Sequence, residues 1–266
     1  MKTSRTIYRS FVLRTCQIGR RCEKRGAFTL IELLVVISII GILASLTLGV
    51  SGVASRKARE ARIRGELNRL VTEIENYKSK LGSYPPCNEA LANADANTRT
   101  SLAAKNQLYY ELAGTLYDKS KRIFFPLGRD VNNGLGVAQI TTLFGTDGFA
   151  NSAGVANASD PRELARARRE IRFTTGFKSG EVKRLSSNYD SLILPLPIGR
   201  NDRIPASVMI LTAQDGSTVY PWLYDSASTN RFSPDGFDLW AEVVIGKKII
   251  RFSNWEPAPV VLGNAP

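Results

Sequence analysis

The sequence predicts an α+β protein in which one long N-terminal helix, apolar in its first half and amphipathic in its second, packs on a small antiparallel β-sheet. Three observations predict it. An apolar run, FTLIELLVVISIIGILASLTLGV, extends from Phe28 to Val50; apolar residues then recur every three or four positions from Ile63 to Leu81; and short strand-like segments follow one another closely after residue 171. A chain of 266 residues, 43% hydrophobic and 23% charged, has room for a membrane segment and one globular domain, and this is not the composition of a disordered chain.

Residues 1–27 form a basic leader. Lys2, Arg5, Arg9, Arg14, Arg20, Arg21, Lys24 and Arg25 stand against the single Glu23, so this stretch holds +7 of the net +12. Because an apolar run follows directly, that charge reads as the cytoplasmic flank of a membrane segment, and no nucleic-acid partner is expected. Residues 28–52 are the predicted transmembrane helix; the 23 residues from Phe28 to Val50 would reach about 35 Å as a helix. A secretory signal peptide would be shorter and followed by unrelated sequence, whereas here the helical pattern continues. Over 53–81 Ile63, Leu67, Leu70, Val71, Ile74, Tyr77 and Leu81 make one apolar face between Arg, Lys and Glu residues, and Gly82 with Pro85-Pro86 ends the helix.

Glu32 is the one charge in the apolar run. A carboxylate costs about 2.5–3.5 kcal/mol near the centre of a membrane helix and less near an end, so it calls for a cationic partner or a path to the interface. If the leader were cut off before Phe28, the new terminal amine would be such a partner on a neighbouring copy of the helix. The absence of His excludes Ser-His-Asp and Cys-His catalysis and His-ligated zinc. Cys16, Cys22 and Cys87 have neither the spacing of a metal knuckle nor that of a disulfide framework.

The stretch Arg25-Gly26-Ala27-Phe28-Thr29-Leu30-Ile31-Glu32-Leu33 resembles the prepilin signature of type IV pilins and of the pseudopilins of type II secretion systems. The resemblance implies a pilin-like fold, cleavage of the leader by a prepilin peptidase, N-methylation of the new Phe28 terminus, and an assembly role for Glu32, fifth from Phe28. Here Gly26-Ala27 precedes Phe28 where the family usually has Gly alone; a cut after Ala27 keeps Glu32 fifth, and one after Gly26 makes it sixth. Gly49 stands where many members have Pro, so a bend near 49–52 stays open. Residues Glu75 to Pro86 and Phe237 to Trp255 resemble the major pseudopilin, with Asp238-Leu239-Trp240 and Asn254-Trp255 fitting its outline. Its calcium loop is not matched: Val243 to Lys248 offers cations where calcium needs oxygen ligands. No cofactor is therefore expected; Asp235 and Asp238 are the candidates for holding calcium or another cation, although acids beside a Pro-Asp-Gly turn usually form the turn.

Residues 82–170 read as a variable αβ loop region with a helix over 99–116, an irregular stretch from Gly128 to Gly154 and a short basic helix from Asp160 to Arg169. Residues 171–266 read as the antiparallel sheet, with strands at 171–175, 191–194, 207–211, 218–223, 237–245 and 248–252, the last two joined at Gly246-Lys247. Gly134-Leu135-Gly136 lacks the frame of a dinucleotide site and reads as a flexible loop. Arg162, Arg166, Arg168, Arg169 and Arg172 read as a solvated face, and Trp222, Trp240 and Trp255 as core or interface anchors. The resemblance thus implies a structural subunit, not an enzyme, anchored by a single pass in a bacterial inner membrane with its C-terminal domain in the periplasm. Its implied partners are further copies, other pseudopilins, prepilin peptidase, an assembly ATPase with its inner-membrane platform, and membrane lipid. Three alternatives stand beside it: a surface type IV pilus subunit, a pilin-like DNA binder using the Arg cluster, and a membrane-anchored enzyme.

Overall fold

A computed structural model describes residues 28–129, 133–199 and 203–266, without the side chains of 46–52 and 96. The leader, with Gly26 and Ala27, lies outside the described residues, as does the side-chain environment around Gly49. Helix α1 is Leu30–Leu81, and the chain divides into two compact units, Met1–Ser51 and Gly52–Pro266.

In the first unit the described apolar side chains of α1, from Leu30 to Leu43, are exposed all round the helix. Ser38 and Ser45 turn their hydroxyls back onto the carbonyls of Leu34 and Ile42 at 2.7 and 2.8 Å, so the polar atoms of this stretch are satisfied within the helix. Among the described residues, no helix is long and apolar enough to cross a membrane. The described side chains of the expected 28–52 span stop at Ser45.

In the second unit, Ile63, Leu67, Leu70, Ile74 and Tyr77 of α1 are buried, which matches the predicted face; Val71 and Leu81 pack at its margin. Each aliphatic side chain so buried stabilises by about 1.5–3 kcal/mol. Gly82 ends the helix with φ +89°, its N–H donating to the Lys78 carbonyl at 2.7 Å.

A 3-10 turn, Glu89–Asn93, leads to α2 (Ala96–Ala104) and α3 (Leu108–Ala113). These replace the single helix expected over 99–116. Asn106 makes the break: its amide donates to the carbonyls of Ala103 and Trp222, and its side-chain oxygen accepts the Leu108 N–H. One side chain thus closes α2, opens α3 and ties both to the C-terminal region.

The 82–170 region carries a sheet of its own. Strands β1 (Thr115–Asp118), β2 (Ile123–Pro126), β3 (Leu135–Gly136) and β4 (Ser152–Val155) lie in the order β3-β2-β1-β4. β1 is antiparallel to β2 but parallel to β4, with Thr115 opposite Ser152. Leu135 and Gly136 therefore belong to a paired strand rather than a flexible loop, and Gly136 caps α4 (Val137–Phe144). Alternation along the strands separates two apolar layers. Phe124 and Tyr117 face the main core, whereas Leu116, Phe125, Ala153 and Val155 form a smaller cluster with Ala167 and Ile171, covered by α5 (Pro161–Glu170).

Four short strands follow in two antiparallel pairs, β5 (Val182–Arg184) with β6 (Asp190–Leu192) and β7 (Leu211–Thr212) with β8 (Thr218–Val219). The last sheet has the order β12-β11-β10-β9, built from β9 (Leu223–Asp225), β10 (Asp238–Ile245), β11 (Lys248–Ser253) and β12 (Val260–Asn264). The hairpin at Gly246-Lys247 forms as expected, with Ile245 opposite Lys248. Residues 171–175 form no strand: Asn151 donates to the Phe173 carbonyl and Thr175 donates to Leu112, so the segment is tied to the end of α3 instead of joining a ladder. Most of 207–211 is likewise outside any strand, and β12, which follows Pro257 and Pro259, was not expected.

Candidate functional site

The processing and assembly residues open α1. Phe28 is 79% exposed and precedes the helix. Thr29 and Glu32 cap each other: the Thr29 N–H and hydroxyl both donate to Glu32 Oε2 at 2.8 Å, while the Glu32 N–H donates to Thr29 Oγ1 at 3.3 Å. This is a capping box, a Thr followed three residues later by Glu, and it satisfies two of the otherwise unpaired N–H groups of the first turn. Thr29 is the functional residue that sequence reasoning missed, although the T-x-x-E spacing ahead of an apolar run is its signal. The chain therefore has its carboxylate fixed at the helix mouth, three residues from the backbone of Thr29 and four from Phe28. A proteolytic cut on either side of Ala27 leaves this cap intact.

The second constellation joins α2 to the C-terminal sheet. Arg99 donates through Nε to Asp225 Oδ2 at 2.9 Å and through Nη2 to Asp238 Oδ2 at 2.6 Å, and both carboxylates are fully buried. Asp238 also accepts the N–H groups of Phe232 and Ser233, at 2.8 and 3.0 Å, and Asp225 accepts those of Ala227 and Ser228. The carboxylate expected as a candidate cation ligand is thus already held by a guanidinium and two amides. Asp235 is exposed on the turn closed by the Gly236 N–H on the Ser233 carbonyl. Asp235 and Asp238 form no cation cage, and among the described residues no group of three or more His, Cys, Asp or Glu is placed to hold a metal. Asn254 pairs with the start of β10, accepting from the Leu239 N–H and donating to the Phe237 carbonyl, each at 2.8 Å.

Two buried carboxylates join α1 to its domain. Glu111 of α3 accepts the Tyr77 hydroxyl and the N–H groups of Ala150 and Asn151 within 2.9 Å, and burial raises its pKa. Glu66 accepts from the Trp222 indole at 3.3 Å, and burial pushes its pKa up to about 7. Trp222 is wholly buried and Trp240 nearly so. In the Arg cluster, Arg162, Arg166, Arg168 and Arg169 are exposed, with Arg166 bonded to Glu170.

Residues 23–48 match the family model described as the prokaryotic N-terminal methylation motif. No curated protein and no solved structure matches the chain. The matched stretch brackets Phe28 and Glu32, with the capping box between them, and in this segment the chain is similar to the N terminus of type IV pilin-like proteins.

Proposed function

We propose that the protein is a pseudopilin, a structural subunit of a type II secretion-type filament, and not an enzyme. The observation that carries this reading is the methylation motif at residues 23–48, with Phe28 exposed and Glu32 held at the helix mouth. The likeness of Glu75–Pro86 and of Phe237–Trp255 to the major pseudopilin favours secretion over a surface pilus.

In this reading the precursor stands in the inner membrane, residues 28–52 spanning it, with the leader in the cytoplasm and the second unit in the periplasm. Prepilin peptidase cuts between Ala27 and Phe28, and the Phe28 amine is methylated. Until assembly, Thr29 supplies the hydrogen bonds that a carboxylate needs away from water. During extraction by the assembly ATPase and its platform, the Phe28 amine of one subunit meets Glu32 of another, and the exposed apolar side chains of α1 exchange lipid for one another. The filament then acts as a piston for protein export.

Intact-mass and N-terminal peptide mass spectrometry of membrane-purified protein, with and without co-expressed prepilin peptidase, tests this. Methylated Phe28 as the terminus is the expected result. An uncut Met1, or a start well beyond Val50, removes the filament-subunit reading. Deletion of the gene in the native host separates the two systems: lost export with surface pili intact is expected, and the reverse assigns the subunit to a pilus.

A further inference from the structure

We propose that the groove between α2 and the outer face of the C-terminal sheet binds a neutral saccharide, one face of a pyranose ring lying on Phe232. The groove has a volume of about 260 Å³, just below the ~300–1,000 Å³ of ordinary ligand pockets, so it suits a single ring at a time rather than a large ligand.

Phe232 is 57% exposed, and it is the only aromatic residue so exposed among the described residues of the second unit. A ring of this kind normally lies inside. It is also held rigidly. Trp255 stacks beneath it with ring centres 4.7 Å apart and planes within 12°, and Trp240 meets Trp255 edge-on at 5.8 Å. The guanidinium groups of Arg99 and Arg251 lie within 6.0 Å of the Phe232 ring centre.

The loop that presents the ring is pinned from three sides. Arg231 donates to the carbonyls of Ser226, Ser228 and Pro234, and the buried Asp225 and Asp238 take the loop's own N–H groups. Buried charge of this kind is costly unless fully paired, and here the pairing serves to fix a side chain that points away from the core. Preorganisation of an exposed aromatic plate lowers the entropy that a ligand must lose on binding.

The rim decides the ligand class. Glu242, Asn230 and Thr100 line the groove beside the rings and offer carboxylate, amide and hydroxyl groups. A pyranose matches this mixture, with C–H bonds on its face and hydroxyls at its edge. An anionic ligand does not match. Both arginines are already engaged, Arg99 by Asp225 and Asp238 and Arg251 by Glu256 at 2.6 Å, while Glu242 adds a negative charge. A protein partner would need about 800 Å² on each side, far more than this plate supplies.

The test uses the full chain in a detergent whose headgroup carries no sugar, titrated with maltotetraose, cellotetraose and chitotetraose. At least one is expected to change the tryptophan emission saturably and to receive saturation transfer from the protein at its ring protons. Phe232→Ala should weaken that binding about tenfold or more, Phe232→Trp should retain it, and Glu242→Gln should weaken it while leaving the circular dichroism unchanged. Absence of both signals for all three sugars at millimolar concentration, or undiminished binding by Phe232→Ala, overturns the proposal. A protein captured through Phe232 in place of any sugar overturns it as well.

Discussion

One substitution separates the place of Glu32 in the capping box from its proposed role in assembly. Gln in its place can still complete the capping box with Thr29 but carries no charge, whereas Ala loses both. If charge neutralisation drives assembly, Glu32→Gln should reduce cross-linked polymer at least tenfold with helicity unchanged, and Glu32→Ala should do the same with a weakened helix start. Native-like polymer from Glu32→Gln would show that only the cap matters. Glu66 makes a prediction about pH. Its pKa rises from 4.5 to about 7 because the fold buries it, with Glu181 adding repulsion and the Trp222 hydrogen bond, Arg69 and Lys178 opposing the rise. The folded state then holds the proton more tightly than the unfolded chain, so stability from this group falls as pH climbs from about 4.5 to about 7, by at most about 3 kcal/mol and less where water reaches the carboxylate. Glu66→Gln should flatten the denaturation midpoint over that window and raise it at pH 8; an unchanged pH profile would sink this account.

Residues that work through near neighbours were legible in the sequence, and distant pairs were not. Glu32 stands out as the one charge in an apolar run and Phe28 through the resemblance, while the local T-x-x-E spacing that marks Thr29 was there to be read but was passed over. Arg99 meets Asp225 and Asp238 across 126 and 139 residues, and nothing in the local pattern marks any of the three as partners. Asp238 accordingly reads, from sequence, as a spare carboxylate beside a turn.

Among the elements, the amphipathic half of α1 was legible because a single buried face imposes a 3.6-residue period on the sequence. The β1–β4 sheet was not, since its parallel pair joins segments separated by a hairpin, a helix and a loop, and its strands are only two to four residues long. Residues 171–175 show the opposite error, because an alternating segment can bury Ile171 and Phe173 without a ladder when its hydrogen bonds go to the Asn151 side chain and the Leu112 carbonyl. Gly114 is the joint between these elements. It has φ +76°, and a Cβ there would lie 2.7 Å from Ile171 Cγ2 and 3.2 Å from the Phe173 carbonyl oxygen. Gly114→Ala combines a conformation that L-residues avoid with a clash against the Ile171 side chain and a tight approach to the Phe173 carbonyl, and it should destabilise the second unit by about 1–3 kcal/mol in chemical denaturation. A loss below a few tenths would mean that β1 can shift away from Ile171.

For the molecule as a whole, the exposed apolar side chains between Leu30 and Leu43 and a domain with its own core stand apart. The core closes over α1 from Ile63 onward, so the second unit has no need of the apolar stretch for its own packing. Under the proposed function, polymerisation would use the first half of α1 and leave the domain unchanged, so variants at Glu32 should leave the domain's melting temperature untouched.

Cys87 gives that division a chemical readout. Its thiol is buried, accepts the Ser226 N–H at 3.4 Å, and has its pKa raised by burial, so it is shielded from reagents in the native state. The other two cysteines, Cys16 and Cys22, lie in the leader. A maleimide count in denaturant should therefore give three labels for the precursor and one for the processed subunit. Under native conditions, the slow labelling of that single remaining thiol becomes a clock for how often the domain breathes open inside or outside a filament.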